Sequence, residues 1–313
     1  MGHLDQLLQL VYKRSPLQKM KLEKYLQRQD PQFFIKAEQF VNDYQGYLDA
    51  QQIPLDYAVD SYLTLCNDMM ISQRYFMKTG KYPAEKTSQT IEAVYNADIR
   101  MKAYMTGLAI SQFLWGSHYR MYQFLLDALK HEKGKIKHYF EIGPGHGLFL
   151  NDAFHILGPD IGYTTIDISK MSMEVSRSFI NYFTGGSSHI EYIVKDVLEY
   201  DPVGKFDFIT MGEVLEHVEN PGELLLKISR LLTPDGIAFI STCVNCPAID
   251  HVYHFKQIDE IRNLIAGNEL KIVQELALPV EDLPMDEIIR LKITINYCAL
   301  VKSDSNRLSN ISV

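Results

Sequence analysis

Apolar positions recur every three or four residues through LDQLLQLVY, FFIKAEQFVNDYQGYL and YAVDSYLTLCNDMMISQRYFM. That is the period of helices burying one face. Proline and glycine punctuate the pattern at Ser15-Pro16, Asp30-Pro31, Ile53-Pro54 and across 79–83. A longer helical pattern follows, IEAVYNADIRMKAYMTGLAISQFLWGSHYRMYQFLLDAL, and β-branched alternation is nearly absent before residue 131. From His131 the texture changes. Short apolar runs, HYFEIG (138–143), YTTIDI (163–168), IEYIVKDV (190–197), FDFITM (206–211) and GIAFIST (236–242), alternate with helical stretches. Two further runs, LKIVQELAL (270–278) and ITINYCALV (293–301), are joined by PVEDLPMDEIIRLK, which suits either a loop or a short helix feeding an antiparallel closing strand. Strand–helix alternation predicts an α/β, doubly wound parallel sheet. The expected organisation is an all-helical cap over 1–130, an α/β domain over 131–303 and a polar tail over 304–313.

Composition narrows the class. A chain of 313 residues with 46% hydrophobic and 22% charged positions has ample core material for one large or two modest domains. No run of 18 apolar residues exists, so no membrane span is expected. The stretch MGHLDQLLQLVYKRSP lacks the architecture of a secretory leader, and four cysteines do not make a disulfide scaffold; a cytoplasmic setting is the expectation. The net charge of −8 divides unevenly: residues 1–130 hold 15 Lys+Arg against 13 Asp+Glu, leaving 16 against 26 for the remainder. Neither part carries a basic stripe, which argues against a nucleic-acid partner. The helical part holds 12 of the 19 tyrosines and the single tryptophan, Trp115. Aromatic helix packing explains this, and so does a pocket for a ring-bearing or apolar substrate. Trp115, His118 and Tyr119 in WGSHYRMY are candidates to line such a pocket.

The strongest chemical signal is FEIGPGHGLF. A strand runs into Gly143-x-Gly145-x-Gly147, with Glu141 before the loop and a helical pattern after it. Glycines permit a tight turn and close ligand approach, and the helix start offers free N–H groups. Asp167, at the end of the next strand, is placed to accept ribose hydroxyls. Asp196 ends the third strand.

These features resemble the class I S-adenosylmethionine-dependent methyltransferases over about residues 131–303. The shared features are the FEIGPGHG loop, Asp167 in TIDIS, Asp196 in VKDVLEY, Phe206-Asp207, and LLTPDGIAFIST. The resemblance implies a Rossmann-like seven-strand sheet and S-adenosyl-L-methionine as cofactor. Glu141, Gly143, Gly145 and Gly147 would surround its methionyl part. Asp167 and Ile168 would hold the ribose, Asp196 and Val197 the adenine, and Met211 and Gly212 would flank the methyl group. The implied activity is methyl transfer to a small molecule, at oxygen in specialised metabolism. Metal-free N- or C-methylation of an aromatic or carrier-bound acceptor, or cofactor binding without turnover, are the alternatives. Nothing in the sequence addresses oligomeric state.

After the fourth strand stands GEVLEHVENP. On a helix Glu213, Glu216 and His217 share one face. EVLEH resembles the sequence at this point in many small-molecule methyltransferases, where it is either a fold signature or, with a later histidine, a divalent-metal site. Here STCVNCPAIDHVYHF supplies His251 and His254 beyond the fifth strand. Two carboxylates and two imidazoles suit Mg²⁺, Mn²⁺, Fe²⁺ or Zn²⁺. Without metal, His217 or His251 is a candidate general base. His251 ranks above His254, which also suits an anchoring or substrate-lining role. Cys243-x-x-Cys246 is too close to these histidines for a classical zinc-finger loop and reads more simply as buried apolar residues.

Overall fold

The computed structural model of the chain describes residues 2–84, 86–90 and 98–304. A helical block comes first: α1 (His3–Arg14), α2 (Pro16–Leu26), α3 (Pro31–Ala50), α4 (Leu55–Thr79), α5 (Thr87–Thr90), α6 (Asp98–Leu114) and α7 (Gly116–Glu132). The breaks have local causes. Ser15 and Asp30 accept the backbone N–H groups of Gln18 and Phe33, and a proline follows each at the first helical position. Gly80 closes α4 in the left-handed region, at φ 71°. The long pattern expected as one run is divided at Trp115, whose backbone is extended between α6 and α7. The start of that pattern, 91–97, and the tail from 305 onward lie outside the described residues.

The α/β block comprises β1 (His138–Ile142), α8 (Leu148–Leu157), β2 (Gly162–Asp167), α9 (Lys170–Thr184), β3 (Ile190–Val194), β4 (Phe206–Gly212), α10 (Pro221–Leu231), β5 (Leu232–Val244), α11 (Ile258–Gly267), β6 (Leu270–Pro279), α12 (Met285–Arg290) and β7 (Ile295–Ser303). They form a seven-stranded sheet in the order β3-β2-β1-β4-β5-β7-β6. β7 runs antiparallel to both its neighbours, and the other pairs are parallel. The connection before β7 is thus the short helix α12. The strand order reverses between β1 and β4, which opens a crevice at the strands' C-terminal ends. The glycine loop after β1, Asp167 at the end of β2, and Gly212-Glu213 after β4 all meet that crevice. β3 stops at Val194, so Asp196 and Val197 lie beyond the strand expected to hold them. Asp196 instead accepts the Leu198 N–H and caps a 3-10 turn, Val197–Glu199.

Period-two alternation sends the strands' side chains into two cores. Phe140, Ile142, Ile209 and Met211 pack with Leu225 and Ile228 of α10 and Ile261 of α11. Tyr139, Phe208 and Phe239 face the other way, onto Phe124, Leu125 and Leu129. One face of α7 thus packs on the sheet, and Tyr122 on another face joins the core of the helical block. The remaining helices build their own core around Leu7, Val11, Phe33, Leu48 and Tyr62, and that core also takes in Leu148 of α8 and Phe179 of α9. The Tyr47 and Phe179 rings meet edge to face, with centroids 5.0 Å apart.

Candidate active site

Between β1 and α8 the three loop glycines all take positive φ, at 69°, 53° and 82° for Gly143, Gly145 and Gly147. Their surroundings differ. A Cβ on Gly147 would lie 2.9 Å from Ser176 Cα, in the backbone of α9, and one on Gly143 2.9 Å from Val214 Cγ2. One on Gly145 would meet Met105 Sδ at 3.3 Å and otherwise project into a cavity. The Gly143 N–H donates to Ile166 O at 2.9 Å and the Gly147 N–H to Pro144 O at 2.8 Å, which fixes the loop. The cavity has a volume of about 1060 Å³ and lies between the strand ends and the helical block.

Of the residues singled out from sequence, Trp115, His118, Tyr119, Gly143, Gly145, Asp167, Ile168, Asp196, Val197, Gly212, Glu213, His217 and His251 line this cavity. Glu141, Gly147, Met211, Glu216 and His254 are not among its lining. Alternation along β1 explains Glu141: it shares a face with Tyr139, whose hydroxyl donates to Glu141 Oε2 at 2.7 Å. Burial pushes the Glu141 carboxyl up to about 8. Met211 is packed in the sheet core, and Gly147 is filled by α9. His254 shares a hydrogen bond of 2.8 Å with Asn245 Oδ1 and packs on the rings of Phe76 and Tyr82, so it anchors the end of α4. Asp167 accepts the Ser169 N–H at 2.8 Å and the Ser172 hydroxyl at 2.6 Å. Both carboxylate oxygens are thereby oriented at the end of β2. Trp115 donates Nε1–H to Tyr62 OH at 3.1 Å, and Tyr119 packs against Phe33 and Phe113; both reach the cavity from the aromatic core.

GEVLEHVENP is not the α-helix its spacing suggested. Glu213 sits at φ 53°, a 3-10 turn spans Leu215–His217, and α10 starts only at Pro221. The acidic and imidazole groups nevertheless converge. Glu216, His217 and His251 offer ligand atoms all within 4.8 Å of one another, as do Glu213, Glu216 and Cys243. His217 Nδ1 lies 3.0 Å from Asp250 O, and His251 Nδ1 lies 2.6 Å from Cys246 O. A carbonyl only accepts, so each ring carries its proton on Nδ1 and, when neutral, presents the Nε2 lone pair. The two rings stand edge to face at 4.9 Å.

Glu216 is fully buried and its Oε2 accepts the Thr242 hydroxyl at 2.7 Å. Burial raises its carboxyl to about 8. Burial, and then the neighbouring Glu216, push Glu213 well above the carboxylate range. Glu213 Oε1 is buried with no hydrogen-bond partner among the described residues. Burial and the nearby His217 lower His251 to about 4. Cys243 and Cys246 are buried free thiols. They too lie within 4.8 Å of a His251 ring nitrogen, but Nδ1, 3.8 Å from Cys243 Sγ, is committed to the Cys246 carbonyl. Burial also raises the Cys243 thiol, which opposes thiolate formation.

Four residues of this region were not singled out from the sequence. Tyr82 OH accepts the Cys246 N–H at 2.8 Å, the Thr87 hydroxyl donates to His217 O at 3.2 Å, and the Tyr104 hydroxyl to Asp250 Oδ1 at 3.4 Å. Asp250 is fully buried, with Oδ2 3.6 Å from His217 Nδ1. The helical block thus grips both loops that carry the acidic and imidazole groups. Adjacency to His251 was the one available pointer to Asp250.

A glycine loop at the switch point, a carboxylate at the end of β2 and this sheet order define a Rossmann-like nucleotide-binding fold of the methyltransferase type. The methyltransferase-domain family matches residues 117–275, and the chain belongs to that family. A ubiquinone biosynthesis O-methyltransferase of Xanthomonas oryzae pv. oryzae is 34% identical over 110 residues, covering 34% of this chain and 44% of that protein. The match therefore spans less than half the relative's length. Two solved structures share the fold: mitomycin 7-O-methyltransferase MmcR (TM-score 0.54, 11% identity, 80% of this chain and 70% of that one), and magnesium protoporphyrin IX methyltransferase from Synechocystis PCC 6803 with bound SAM (TM-score 0.53, 12% identity, 70% and 98%). Among the described residues, no helix is long and apolar enough to cross a membrane.

Proposed function

We propose that the chain is an S-adenosylmethionine-dependent methyltransferase acting at an oxygen of a small molecule in specialised metabolism, assisted by a divalent metal. The observation that carries the metal is the pair of imidazoles, both with Nδ1 turned to a backbone carbonyl and both adjoining Glu216. Burial holds the Glu213 and Glu216 carboxyls toward their neutral forms, and a dication between them would favour their ionised forms and give the unpartnered Glu213 Oε1 a partner. Glu213, Glu216, His217 and His251 would hold it. For the nucleoside, the fit rests on the space beside Gly145 and on the oriented Asp167 carboxylate.

When bound, the cofactor supplies an activated methyl group on sulfur, and the metal supplies acidity toward an acceptor hydroxyl. The chain's own residues do the rest. Asp167 offers lone pairs to the ribose hydroxyls, and Asp196 and Val197 border the adenine. The apolar walls from α4, α6 and α7 exclude water and orient the acceptor. We assign substrate selectivity to the helical block, residues 1–130, and nucleoside binding to 131–303. An aromatic or carrier-bound acceptor suits the walls.

The test is elemental analysis of the purified protein, with S-adenosylhomocysteine formation across a phenol and amine panel before and after chelation. Bound metal and chelation-sensitive turnover are expected. Full activity after exhaustive chelation, with Glu216→Ala neutral, would favour metal-free transfer to nitrogen, carbon or oxygen. In that reading His217, beside the buried Asp250 carboxylate, serves as base. Tight cofactor binding without product across the panel would favour a binding protein.

A further inference from the structure

The two walls of the cavity carry opposite charge. Every charged residue that the helical block lends to it is a cation: Lys21, Lys24 and Arg28 from α2 and the turn after it, Arg74 from α4 and Arg120 from α7. The strand-end wall carries Asp167, Asp196, Glu213 and Asp250 against Lys195. Glu281 and Asp282, between β6 and α12, also line the cavity, and Asp282 pairs with Arg28 at 3.0 Å. Among the described residues the other four cations of the helical wall form no ion pair with a carboxylate. All are exposed, so they ring the opening rather than the floor. In a chain of net charge −8 this is a local reversal of sign, and a cleft edged by one sign draws in the opposite one.

Arg120 stands beside unused donors. Ser117 lies three residues before it, so the two share a face of α7, and both line the cavity. Asn296, 4% exposed, donates Nδ2–H to Ser117 Oγ at 2.6 Å, which fixes the serine and leaves its O–H to donate to a ligand. The first-turn N–H groups of Gly116, Ser117 and His118 have no acceptor among the described residues, and Trp115 supplies no side-chain cap. The Tyr25 ring packs over this turn: a Cβ on Gly116 would lie 3.0 Å from its Cε2 and 3.9 Å from its Cζ. Its buried hydroxyl has no hydrogen-bond partner among the described residues. Asn296 pairs with Cys243 across β7 and β5, and Cys243 Sγ lies 4.0 Å from Glu216 Oε1. Ser117 is thereby on the order of 10 Å from the acidic and imidazole cluster. A single-ring aromatic hydroxy acid spans that distance.

We propose that the methyl acceptor is an anion, with a carboxylate or phosphate held by Arg120 and Ser117 at the end remote from its hydroxyl, and with Lys21, Lys24 and Arg74 steering it in. This rests on the methyltransferase reading above, and the experiment separates the two. Calorimetry on protein loaded with S-adenosylhomocysteine compares para-hydroxybenzoate and para-hydroxycinnamate with their amides, and para-hydroxyphenyl phosphate with hydroquinone. The para position keeps the anionic group away from any metal that holds the hydroxyl. In wild type at least one anion is expected to bind roughly tenfold tighter than its neutral partner, and the carboxylate and phosphate pairs show which anion is preferred. The preference should shrink as salt rises. Arg120→Gln should remove most of it and Lys21→Gln with Lys24→Gln part of it, with S-adenosylhomocysteine affinity unchanged in each, which also reports an intact fold. No anion preferred over its neutral partner in wild type, or a preference that survives both variants, overturns the proposal. Failure of wild type to bind S-adenosylhomocysteine overturns the cofactor reading instead, and the anion preference is then measured on the protein alone.

Discussion

Gly145 and Gly147 share a backbone region but not a purpose, and alanine at each should separate the two. Both sit at positive φ, so each alanine pays about 1–2 kcal/mol for the left-handed backbone. That cost cancels in the comparison. What remains is the environment of the added methyl group. At 147 it stands 2.9 Å from the Ser176 Cα, which cannot yield without moving α9; at 145 it meets the Met105 sulfur at 3.3 Å, the end of a flexible side chain. Overpacking of the first kind costs about 1–3 kcal/mol. Gly147→Ala should therefore be less stable than Gly145→Ala by that amount, and roughly 2–4 °C lower in melting temperature per kcal/mol. Urea titration followed by circular dichroism measures the difference. Gly145→Ala should instead weaken S-adenosylhomocysteine binding, because its methyl occupies cavity space. Equal denaturation midpoints for the two variants would refute the assignment of Gly147 to helix packing.

Other outcomes follow from single contacts. Tyr82→Phe leaves the buried Cys246 N–H without its acceptor and should cost about 1–3 kcal/mol in denaturant titration. Asp167→Asn should reduce S-adenosylhomocysteine affinity at least tenfold by calorimetry, with only a small change in melting temperature. Glu141 makes stability depend on pH. Its folded-state pKa, about 8, lies above the unfolded value of 4.5, so its contribution is fully present below pH 4.5 and is lost as pH rises toward 8. Glu141→Gln should remove that slope, and melting curves across pH 5–8 with the same slope in both proteins would show the carboxyl is not responsible.

The order of strands and helices was legible because buried parallel strands read as short apolar runs and the intervening helices as periodic ones. The glycine loop and Asp167 were legible because each sits where a strand ends. The conformation of GEVLEH was not: a glutamate at φ 53° leaves no compositional mark, and i, i+3, i+4 spacing fits a helix equally well. Convergence of Glu216, His217 and His251 survives that error because it is produced by β4 and β5 lying side by side. The facing of Glu141 was available from alternation with Ile142 along β1. Tyr82, Thr87 and Tyr104 reach the site from the helical block through tertiary contacts that no local pattern encodes.

The most direct measurement is a crystal structure of the protein grown with S-adenosylhomocysteine and Mn²⁺, with anomalous data collected for manganese. The account predicts the nucleoside in the cavity with its ribose on Asp167. It also predicts one anomalous peak about 2.0–2.3 Å from the Glu216 carboxylate and from Nε2 of both His217 and His251. A nucleoside seated there with no peak among these side chains would contradict metal assistance, and a cavity that excludes the nucleoside would contradict the methyl-transfer reading itself.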